Sequence, residues 1–367
     1  MTDGVALAHD YATQRGGAER VALLMAEAFP GSPMYTTLYE PATTYPEFAG
    51  LDVRTVGLNH VGVLRRHHRA ALPFLAPAVS GARPIEADVV LASSTGWAHG
   101  FRTTGRKVVY CHAPARWLYQ TDRYAGSGPR GAAYRAALGV LGPALRSWDR
   151  GAAASADRYL VNSTTTAAAV RAAYGLDAEV LPPPPALTPG GAEEPVPGIE
   201  PGFVLCVARL LPYKNVDVVV DAVQQVPGLR LVVVGDGPDR DRLAGRVRDH
   251  SRVHLVGRLP DEQLRWCYRS CDALVAASYE DYGLSPLEAA AFGRPTVALR
   301  AGGFLDTLVE GTTGVFFDEP RPDAVAGALE TATARSWDPA VLERHADAFG
   351  AERFRRRLRA VVAETGR

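Results

Sequence analysis

Short apolar runs alternate with amphipathic helical patterns through the second half of the chain. Each run is rich in β-branched residues, as in strands buried on both faces, and the segments between them repeat apolar residues at helical spacing. This alternation predicts a parallel sheet covered by helices on both faces, the doubly wound α/β architecture. The predicted strands are 203–209, 230–235, 252–256, 272–278 and 295–299, and the predicted helices lie near 215–226, 238–250, 260–270 and 284–292.

The first half follows the same logic less regularly. An apolar run over residues 4–10 leads into Gly16 and Gly17, and then into a predicted helix that contains VALLMAEAF. Further parallel strands are predicted at 87–93, 107–112 and 158–163. No internal repeat is visible, yet both halves are predicted to be Rossmann-like domains.

A stretch rich in proline and glycine, PPPPALTPGGAEEPVPGIEPG at residues 182–202, separates the two halves. Because it can continue neither a helix nor a central strand, it is predicted to be an interdomain linker. The predicted domains are residues 1–181 and 203–343, and a final helical segment, 344–367, is expected to return to the first domain. That segment carries four apolar residues on one helical face: Phe354, Leu358, Val361 and Val362.

Composition narrows the class of protein. The 367 residues are 47% hydrophobic and 22% charged, enough apolar surface for two full cores. Forty basic residues balance forty acidic ones, which argues against a surface built for nucleic acid. No CxxC pair is present, so buried free thiols are predicted rather than a zinc site. Since no signal-peptide pattern and no apolar run of about 18–20 residues occurs, a cytoplasmic protein is predicted.

The segment YEDYGLSPLE, residues 279–288, places two glutamates on either side of a predicted helix start. Glu280 follows a predicted strand, Gly283 opens the next helix, and Glu288 lies about one and a half turns into it. Unpaired backbone amides at a helix start suit an anion, and the flanking carboxylates suit vicinal hydroxyls. This combination fits a sugar diphospho-nucleoside, with two solvated glutamates as the alternative.

Two cations follow another predicted strand. Arg209 ends FVLCVAR, and Lys214 follows in LLPYKN. Cations at the mouth of a parallel sheet can neutralise a diphosphate whose negative charge grows as its bond to a sugar breaks. The alternative is an ion pair between one of them and a surface carboxylate. Glycine turns at 235–238 and 257–260 suit close backbone approach to a nucleotide, or are ordinary turns.

These motifs resemble glycosyltransferase family 4, whose E-x7-E and R-x4-K patterns match Glu280…Glu288 and Arg209…Lys214. The resemblance covers almost the whole chain and is strongest to bacterial mannosyltransferases that build O-antigen and related polyprenyl-linked glycans. It implies the GT-B fold, two Rossmann-like domains facing each other across a cleft. Further supporting stretches are HDYATQRGGAERV (9–21), YCHAPARWLY (110–119), RSWDR (146–150), RLLPYKNVD (209–217), EDYGLSPLEAAAFGRP (280–295) and HADAFGAERFRR (345–356).

The resemblance implies a role for each matching residue of the second domain. Arg209 and Lys214 would bind the donor diphosphate, and Glu288 would hold the ribose hydroxyls. Glu280 would contact hydroxyls of the transferred sugar. The backbone amides of three residues would touch sugar and phosphate: Tyr282, Gly283 and Leu284.

Two residues of the first domain complete the implied site. Gly17, at the start of the first helix, would let the backbone reach the diphosphate. His112, at the end of the strand KVVYCH, would contact the donor sugar near the reacting carbon. Without the resemblance, a lone histidine at a strand end is more simply a hydrogen-bonded structural residue.

Two positions depart from the family's pattern. Asp306 in AGGFLDTL stands where the family often has glutamate, and His99 stands where these mannosyltransferases tend to carry lysine. A formal DxD motif over 239–241, which binds metal in a different transferase fold, starts a predicted helix, where acidic residues are expected in the first turn.

The resemblance implies a retaining hexosyltransferase, with mannose from GDP-mannose favoured, in which the leaving phosphate oxygen takes the acceptor proton. No metal or other cofactor is expected. The alternatives are a GT-B nucleotide-sugar epimerase or phosphorylase, or a catalytically silent sugar-nucleotide-binding subunit. A dinucleotide dehydrogenase is disfavoured because no GxGxxG with a following acidic residue occurs after a predicted strand.

The expected partners are a nucleotide-sugar donor and a lipid-linked or small glycan acceptor, with no nucleic acid. The stretch NHVGVLRRHHRAALPFLAPAVS, residues 59–80, joins basic residues to apolar ones and can lie on an anionic membrane that carries the acceptor. An amphipathic helix packed on its own domain is the alternative. The basic residues are Arg65, Arg66, His67, His68 and Arg69.

Overall fold

The computed structural model describes residues 4–120 and 129–367, without the side chains of residues 68–70, 129, 130, 132 and 133. The described chain forms two compact units. One comprises the residues up to Pro183 together with Ala351–Arg367, and the other is Pro184–Gly350. Each unit is built on one sheet of parallel strands with helices between them, so the α/β prediction is confirmed for both.

The first unit contains seven described strands: β1 (Val5–His9), β2 (Met34–Thr36), β3 (Val53–Thr55), β4 (Val89–Ser94), β5 (Arg106–Cys111), β6 (Arg158–Val161) and β7 (Glu179–Val180). They pair in the order β3-β2-β1-β4-β5-β6-β7, parallel throughout. The helices that accompany them are α1 (Gly17–Ala28), α2 (Gly62–Arg66), α3 (His68–Gly81), α4 (Arg116–Tyr119), α5 (Pro129–Ala154) and α6 (Thr164–Tyr174).

The second unit repeats this plan with six described strands: β8 (Val204–Val207), β9 (Leu231–Val234), β10 (Val253–Gly257), β11 (Ala273–Ala276), β12 (Thr296–Leu299) and β13 (Gly314–Phe317). Their order is β10-β9-β8-β11-β12-β13, again all parallel. Its helices are α7 (Val216–Gln225), α8 (Arg240–Ala244), α9 (Asp261–Ser270), α10 (Ser285–Ala291), α11 (Phe304–Thr307), α12 (Pro322–Ala334) and α13 (Pro339–Asp347). The chain ends with α14 (Ala351–Thr365), which belongs to the first unit.

The predicted helix over 238–250 is the largest difference among the predicted elements. It forms only as α8, with Gly245 at its end, because glycine in a helix interior costs about 1 kcal/mol relative to alanine. Beyond it Val247 is still buried in the core, so the apolar pattern that suggested a longer helix reflects a turn that packs inward.

Both boundaries between the units differ from the predicted ones, because the second unit is Pro184–Gly350. The stretch 184–202 is part of the second unit, because Leu187 and Val196 are buried in its core. Residues 344–350 also belong to that unit, since α13 buries Leu342 and Ala346 beside α10. Apolar side chains within the proline-rich stretch therefore have a core to pack against, which composition alone does not reveal.

Helix α14 packs on the first unit along its apolar face. The four residues expected on that face are buried in the same core as α1: Phe354, Leu358, Val361 and Val362. Arg355 forms an ion pair with Glu27 of α1 at 2.5 Å, and the ring of Phe354 meets Tyr110 of β5 edge-on at 5.7 Å between ring centroids.

In both sheets the strand order reverses beside the unit's first strand, between β1 and β4 and between β8 and β11. Ligands of open α/β sheets bind at the carboxyl ends of the strands at such a switch point. In the first unit the chain leaves β1, β4 and β5 there through Asp10, Thr95 and His112. In the second unit it leaves β8 and β11 towards Arg209 and Glu280.

Candidate active site

Lys214 and Glu280 form an ion pair at the carboxyl edge of the second sheet. Lys214 ends a 3-10 turn that follows β8, and Glu280 comes shortly after β11. The Lys214 ammonium donates to Oε1 of Glu280, which also accepts from the Ser278 hydroxyl at 2.5 Å. Oε2 of Glu280 makes no hydrogen bond within the described part of the chain, so it can accept one from a ligand hydroxyl.

Asn215 holds the turn that carries Lys214. Its φ of 53° is left-handed, and no other described residue apart from glycines has a positive φ. Asparagine is one of the few residues that adopt this conformation readily. Its side-chain amide donates to the carbonyl of Ala277 at 2.8 Å, just beyond β11. The carboxamide thus ties the lysine's turn to the segment that leads to Glu280.

Arg209 is exposed, and within the described residues no ion pair involves it. Its backbone is fixed by the glycine turn after β9. A Cβ atom on Gly235 would lie 1.9 Å from the Ala208 carbonyl oxygen, and one on Gly237 would lie 2.2 Å from that of Leu210. These glycines are therefore required for the turn to pack against the residues on either side of Arg209.

Glu288 lies on α10 with 9% of its surface exposed. Its Oε2 accepts a hydrogen bond from the Tyr268 hydroxyl at 2.7 Å, and the Tyr268 ring stacks on Phe292 at 5.5 Å between centroids. Burial, together with the neighbouring Glu288 carboxylate, raises the pKa of Tyr268 well above its usual value. Because Glu288 is buried and Glu280 is half-buried, the alternative of two solvated glutamates is wrong.

The loop between the two glutamates is locked against a second glycine-rich segment. Gly283 has a φ of 86°, and a Cβ atom there would lie 2.5 Å from the Phe304 ring. A Cβ atom on Gly302 would lie 2.2 Å from the Glu280 carbonyl oxygen, which accepts from the Gly303 amide at 2.8 Å. The AGGF segment therefore supports the backbone of the loop.

Asp306 lies close to this loop, on α11. Tyr282 is buried, and its pKa is raised well above the usual value by burial and then by the charge of Asp306. Leu284 is half-buried just ahead of α10. The residue that departs from the family's glutamate thus lies near the predicted sugar-phosphate loop.

The DxD motif has a structural explanation. Asp239, immediately before α8, accepts two hydrogen bonds from the Arg242 guanidinium at 2.6 and 2.7 Å, and Arg242 also pairs with Asp217. The contact with Arg242 lowers the pKa of Asp239. Across the described residues, no three His, Cys, Asp or Glu side chains are grouped as a metal site would require.

In the first unit, His112 follows β5 and is buried. Its Nε2 lies 2.8 Å from the Ser93 hydroxyl, which in turn lies 3.0 Å from Nδ1 of His9. Burial, and then the charges of His9 and Arg116, lowers the pKa of His112 to about 3. The imidazole is therefore neutral at physiological pH.

Asp10 organises the loop after β4. Its carboxylate accepts hydrogen bonds from the Thr95 hydroxyl at 2.5 Å and from the backbone amides of Trp97 and Ala98 at 3.2 and 2.5 Å. His99, four residues on from Thr95, is buried between the Ser94 hydroxyl at 2.9 Å and Asp149 at 3.0 Å. His99 is thus an interior residue of the first unit.

Gly17 is exposed and begins α1. Glu19, in the first turn of that helix, is buried, and burial raises its pKa to about 7. A Cβ atom on Gly16 would lie 2.6 Å from Oε2 of Glu19, so a side chain at this position would have to displace the carboxyl group. Glu19 is not among the site residues predicted from the sequence. Its position three residues after Gly16, in the first turn of the predicted helix, could have indicated it.

The stretch 59–80 forms α2 and α3 with their preceding turn. One face packs on its own unit, burying Leu75 and Val79, and Arg65 pairs with Glu40 at 3.2 Å. Val63 and Phe74 are exposed. The side chains of His68 and Arg69 lie outside the described residues. Within the described chain, no helix has both the length and the apolar character needed to cross a bilayer.

Comparison with known proteins decides the family. Residues 15–184 match the family model described as Glycosyltransferase Family 4, and residues 193–346 match the one described as Glycosyl transferases group 1. The chain belongs to glycosyltransferase family 4. The resemblance to family 4 and the GT-B class that it implied are confirmed, whereas the closer likeness to mannosyltransferases is not.

Curated proteins align with only part of this chain. A D-inositol 3-phosphate glycosyltransferase of Rhodococcus erythropolis is 34% identical over 229 residues, 54% of this chain and 52% of that protein. A glycogen synthase of Mycobacterium tuberculosis is 34% identical over 168 residues, 44% of this chain and 39% of that protein. The chain thus spans about half the length, or less, of these curated relatives.

A solved structure of Anabaena HepE with UDP and glucose has the same fold. Its TM-score is 0.71 at 17% identity, over 98% of this chain and 100% of that one.

Proposed function

We propose that this chain is a retaining hexosyltransferase that moves mannose from GDP-mannose to an acceptor hydroxyl of a glycan or glycolipid. The observation that carries the proposal is the pairing of Lys214 with Glu280 where β8 and β11 diverge. A fixed cation at that edge can bind the diphosphate, and the carboxylate beside it can bind a hydroxyl of the sugar.

The cations bind the diphosphate. An ammonium group has three N–H donors, so Lys214 can keep its bond to Glu280 and still donate to a phosphate oxygen. Arg209 brings a second positive charge on a backbone fixed by Gly235 and Gly237. These charges stabilise the leaving diphosphate, a role that a metal ion fills in other transferases, and no metal is proposed here.

The two glutamates bind hydroxyls. Oε2 of Glu280 accepts from a hydroxyl of the transferred sugar, while Oε1 stays with Lys214 and Ser278. Glu288, oriented by Tyr268, accepts from the ribose. The Tyr282–Leu284 amides contact sugar and phosphate. The roles proposed for Gly17 and for the neutral imidazole of His112 are contacts with the diphosphate and with the transferred sugar, respectively.

In the transfer step, the bond between the sugar's anomeric carbon and the phosphate oxygen breaks. The acceptor oxygen bonds to that carbon on the same face, and its proton passes to the departing phosphate oxygen. This sequence requires no strong protein base, and it agrees with the low pKa of His112, which makes that ring a weak base.

A panel of donors tests the proposal. The full chain is incubated with GDP-mannose, UDP-glucose or UDP-N-acetylglucosamine, with and without glycan acceptors and with excess EDTA. We expect GDP release from GDP-mannose, undiminished by EDTA, and an α-linked product by proton NMR. Inactivation by EDTA that magnesium restores would contradict the proposed charge stabilisation.

Each alternative gives a different result. UDP release from UDP-glucose, in line with the HepE complex, would replace mannose with glucose. Conversion of one nucleotide sugar into another indicates an epimerase, and turnover that requires inorganic phosphate indicates a phosphorylase. Nucleotide binding without any turnover indicates a silent binding subunit.

A lipid-linked acceptor is the finer part of the proposal. Exposed Val61, Val63 and Phe74 lie in the same stretch as the exposed Arg66, a combination that suits an anionic bilayer surface. We expect the chain to sediment with phosphatidylglycerol vesicles more than with phosphatidylcholine vesicles, and Val63→Asp to reduce this. Equal sedimentation with both vesicles would contradict the membrane contact.

A further inference from the structure

Three side chains from neighbouring strands meet at the carboxyl edge of the first sheet. His9 ends β1 and is paired in register with Ser93 of β4, and His112 follows β5, the next strand along. The Ser93 hydroxyl lies 3.0 Å from Nδ1 of His9 and 2.8 Å from Nε2 of His112. All three side chains are buried.

The serine hydroxyl couples the protons of the two rings. A hydroxyl carries one proton, so between two ring nitrogens it donates to one and accepts from the other. If His9 donates from Nδ1, then Ser93 donates to Nε2 of His112, and the proton of neutral His112 sits on Nδ1. If the direction is reversed, the proton of His112 sits on Nε2.

The surroundings of His9 select the direction. Its Nε2 is buried and has no hydrogen-bond partner among the described residues. In the reversed arrangement, neutral His9 would carry its proton on Nε2, as a buried N–H without an acceptor, and orphaned N–H groups are rare in native structures. When His9 donates from Nδ1, the orphan is only a lone pair.

We propose that His9 and Ser93 are positioning residues that hold His112 as its Nδ1–H tautomer. That tautomer presents a hydrogen-bond donor to an oxygen of the transferred sugar, a statement that rests on the proposed function for the identity of the ligand. The backbone of His112 is held as well, since its amide donates to the Ser94 carbonyl at 2.9 Å and its carbonyl accepts from Asn162 at 3.0 Å. The ring therefore has a fixed position and one fixed proton.

The direct test is long-range nitrogen–proton NMR of the full chain labelled with 15N-histidine, the His112 signals being assigned with His112→Gln. Wild type should show the proton on Nδ1 of His112. Ser93→Ala should move it towards Nε2, the tautomer that imidazoles prefer in water, whereas Ser93→Thr keeps the hydroxyl and should keep the Nδ1–H pattern. A proton on Nε2 in wild type, or an unchanged tautomer in Ser93→Ala, would overturn the inference.

Kinetics provide a second readout. Ser93→Ala should lower kcat about tenfold while leaving the Kd for nucleoside diphosphate unchanged, because a misdirected hydrogen bond affects the sugar and not the nucleotide. Ser93→Thr should restore most of kcat. The two failures are separable. A chain without transferase activity would refute the proposed function and leave the NMR result standing, whereas the wrong tautomer in an active enzyme refutes only the relay.

Discussion

Glu280 divides its two carboxylate oxygens between the protein and a ligand. Oε1 is occupied by Lys214 and Ser278, whereas Oε2 makes no hydrogen bond within the described residues. His112 shows the same division, with Nε2 bound to Ser93 and Nδ1 without a hydrogen bond in the described chain. At both residues, one atom fixes the side chain and the other is left for recognition.

Glu280→Gln should reduce transfer by at least about a hundredfold, the usual cost of losing one group that stabilises charge or position in the transition state. Nucleoside diphosphate affinity should stay nearly unchanged or rise slightly, because the substitution removes the negative charge beside Lys214. Titration calorimetry and initial rates give both numbers.

Glu319→Gln is the matched control for Glu280→Gln, since Glu319 is an exposed carboxylate of the same unit whose ion pair in the described chain is with Arg321. Its transfer rate and its affinity for nucleoside diphosphate should equal those of the wild type. Equal losses of nucleotide affinity and turnover in Glu280→Gln would move Glu280 out of the sugar subsite.

Glu19 should make the stability of the first unit depend on pH. Its pKa rises on folding from 4.5 to about 7, so the folded state binds the proton more tightly and stability falls as pH rises through this window. A shift of this size is worth on the order of 3 kcal/mol as an upper limit. Glu19→Gln, which cannot ionise, should have a higher Tm than wild type at pH 8 and a similar Tm at pH 4. A constant Tm difference across this range would show that Glu19 does not titrate as described.

At the scale of elements, the site depends on turns more than on strands. The turn over Pro212–Lys214 and the loop from Tyr282 to Leu284 are each held by a special backbone position, Asn215 in one and Gly283 in the other. The strands form the common edge of the sheet, and these two backbone positions fix the turns that hold the site residues there.

Asn215 offers a graded test of the turn. Asn215→Ala loses the bond to Ala277 and disfavours the left-handed backbone by about 1–2 kcal/mol, whereas Asn215→Gly loses only the bond. We expect the alanine variant to weaken nucleoside diphosphate binding about tenfold and the glycine variant by less. Titration calorimetry with nucleoside diphosphate measures the affinity of both variants. Identical effects would show that the backbone conformation does not matter, and no effect in either would show that the turn does not place Lys214.

The strands and the site could be predicted from sequence to different extents. Buried runs such as FVLCVAR and ADVVLAS correctly predicted β8 and β4, because stretches rich in β-branched residues favour the strand conformation. The two- and three-residue strands β2, β3 and β7 were not predicted, since so few positions show no periodicity. The missed site residues, Ser278, Asn215, His9 and Ser93, act through contacts that strand order creates; His9 and Ser93 are 84 positions apart in sequence.

At the scale of the whole molecule, the first unit is assembled from two distant stretches of chain. Helix α14 contributes Leu358, which is fully buried in the same core as Leu7 and Val21. The second unit, by contrast, is one continuous stretch. The core of the first unit is therefore completed by residues from a distant stretch of the chain, whereas the core of the second unit is not.

Leu358→Ala should destabilise the first unit by about 2–5 kcal/mol, the range for a leucine truncated in a packed core. Nucleoside diphosphate binding, assigned to the second unit, should keep its wild-type affinity under native conditions. Leu141→Ala is the matched control, because Leu141 is 52% exposed on α5 and should cost little. Urea denaturation followed by fluorescence measures both variants. Equal destabilisation by the two, or a lost nucleotide affinity in Leu358→Ala alone, would contradict this division of roles.

We propose that the nucleotide sugar binds where β8 and β11 diverge, with Lys214 as its anchor. Hydrogen–deuterium exchange of the full chain, with and without saturating GDP, tests this most directly, with Lys214→Ala measured alongside. We expect slower exchange over residues 209–215 and 278–288 in the wild type, and loss of that protection in Lys214→Ala at the same GDP concentration. Protection confined to other segments, or unchanged protection in Lys214→Ala, would contradict it.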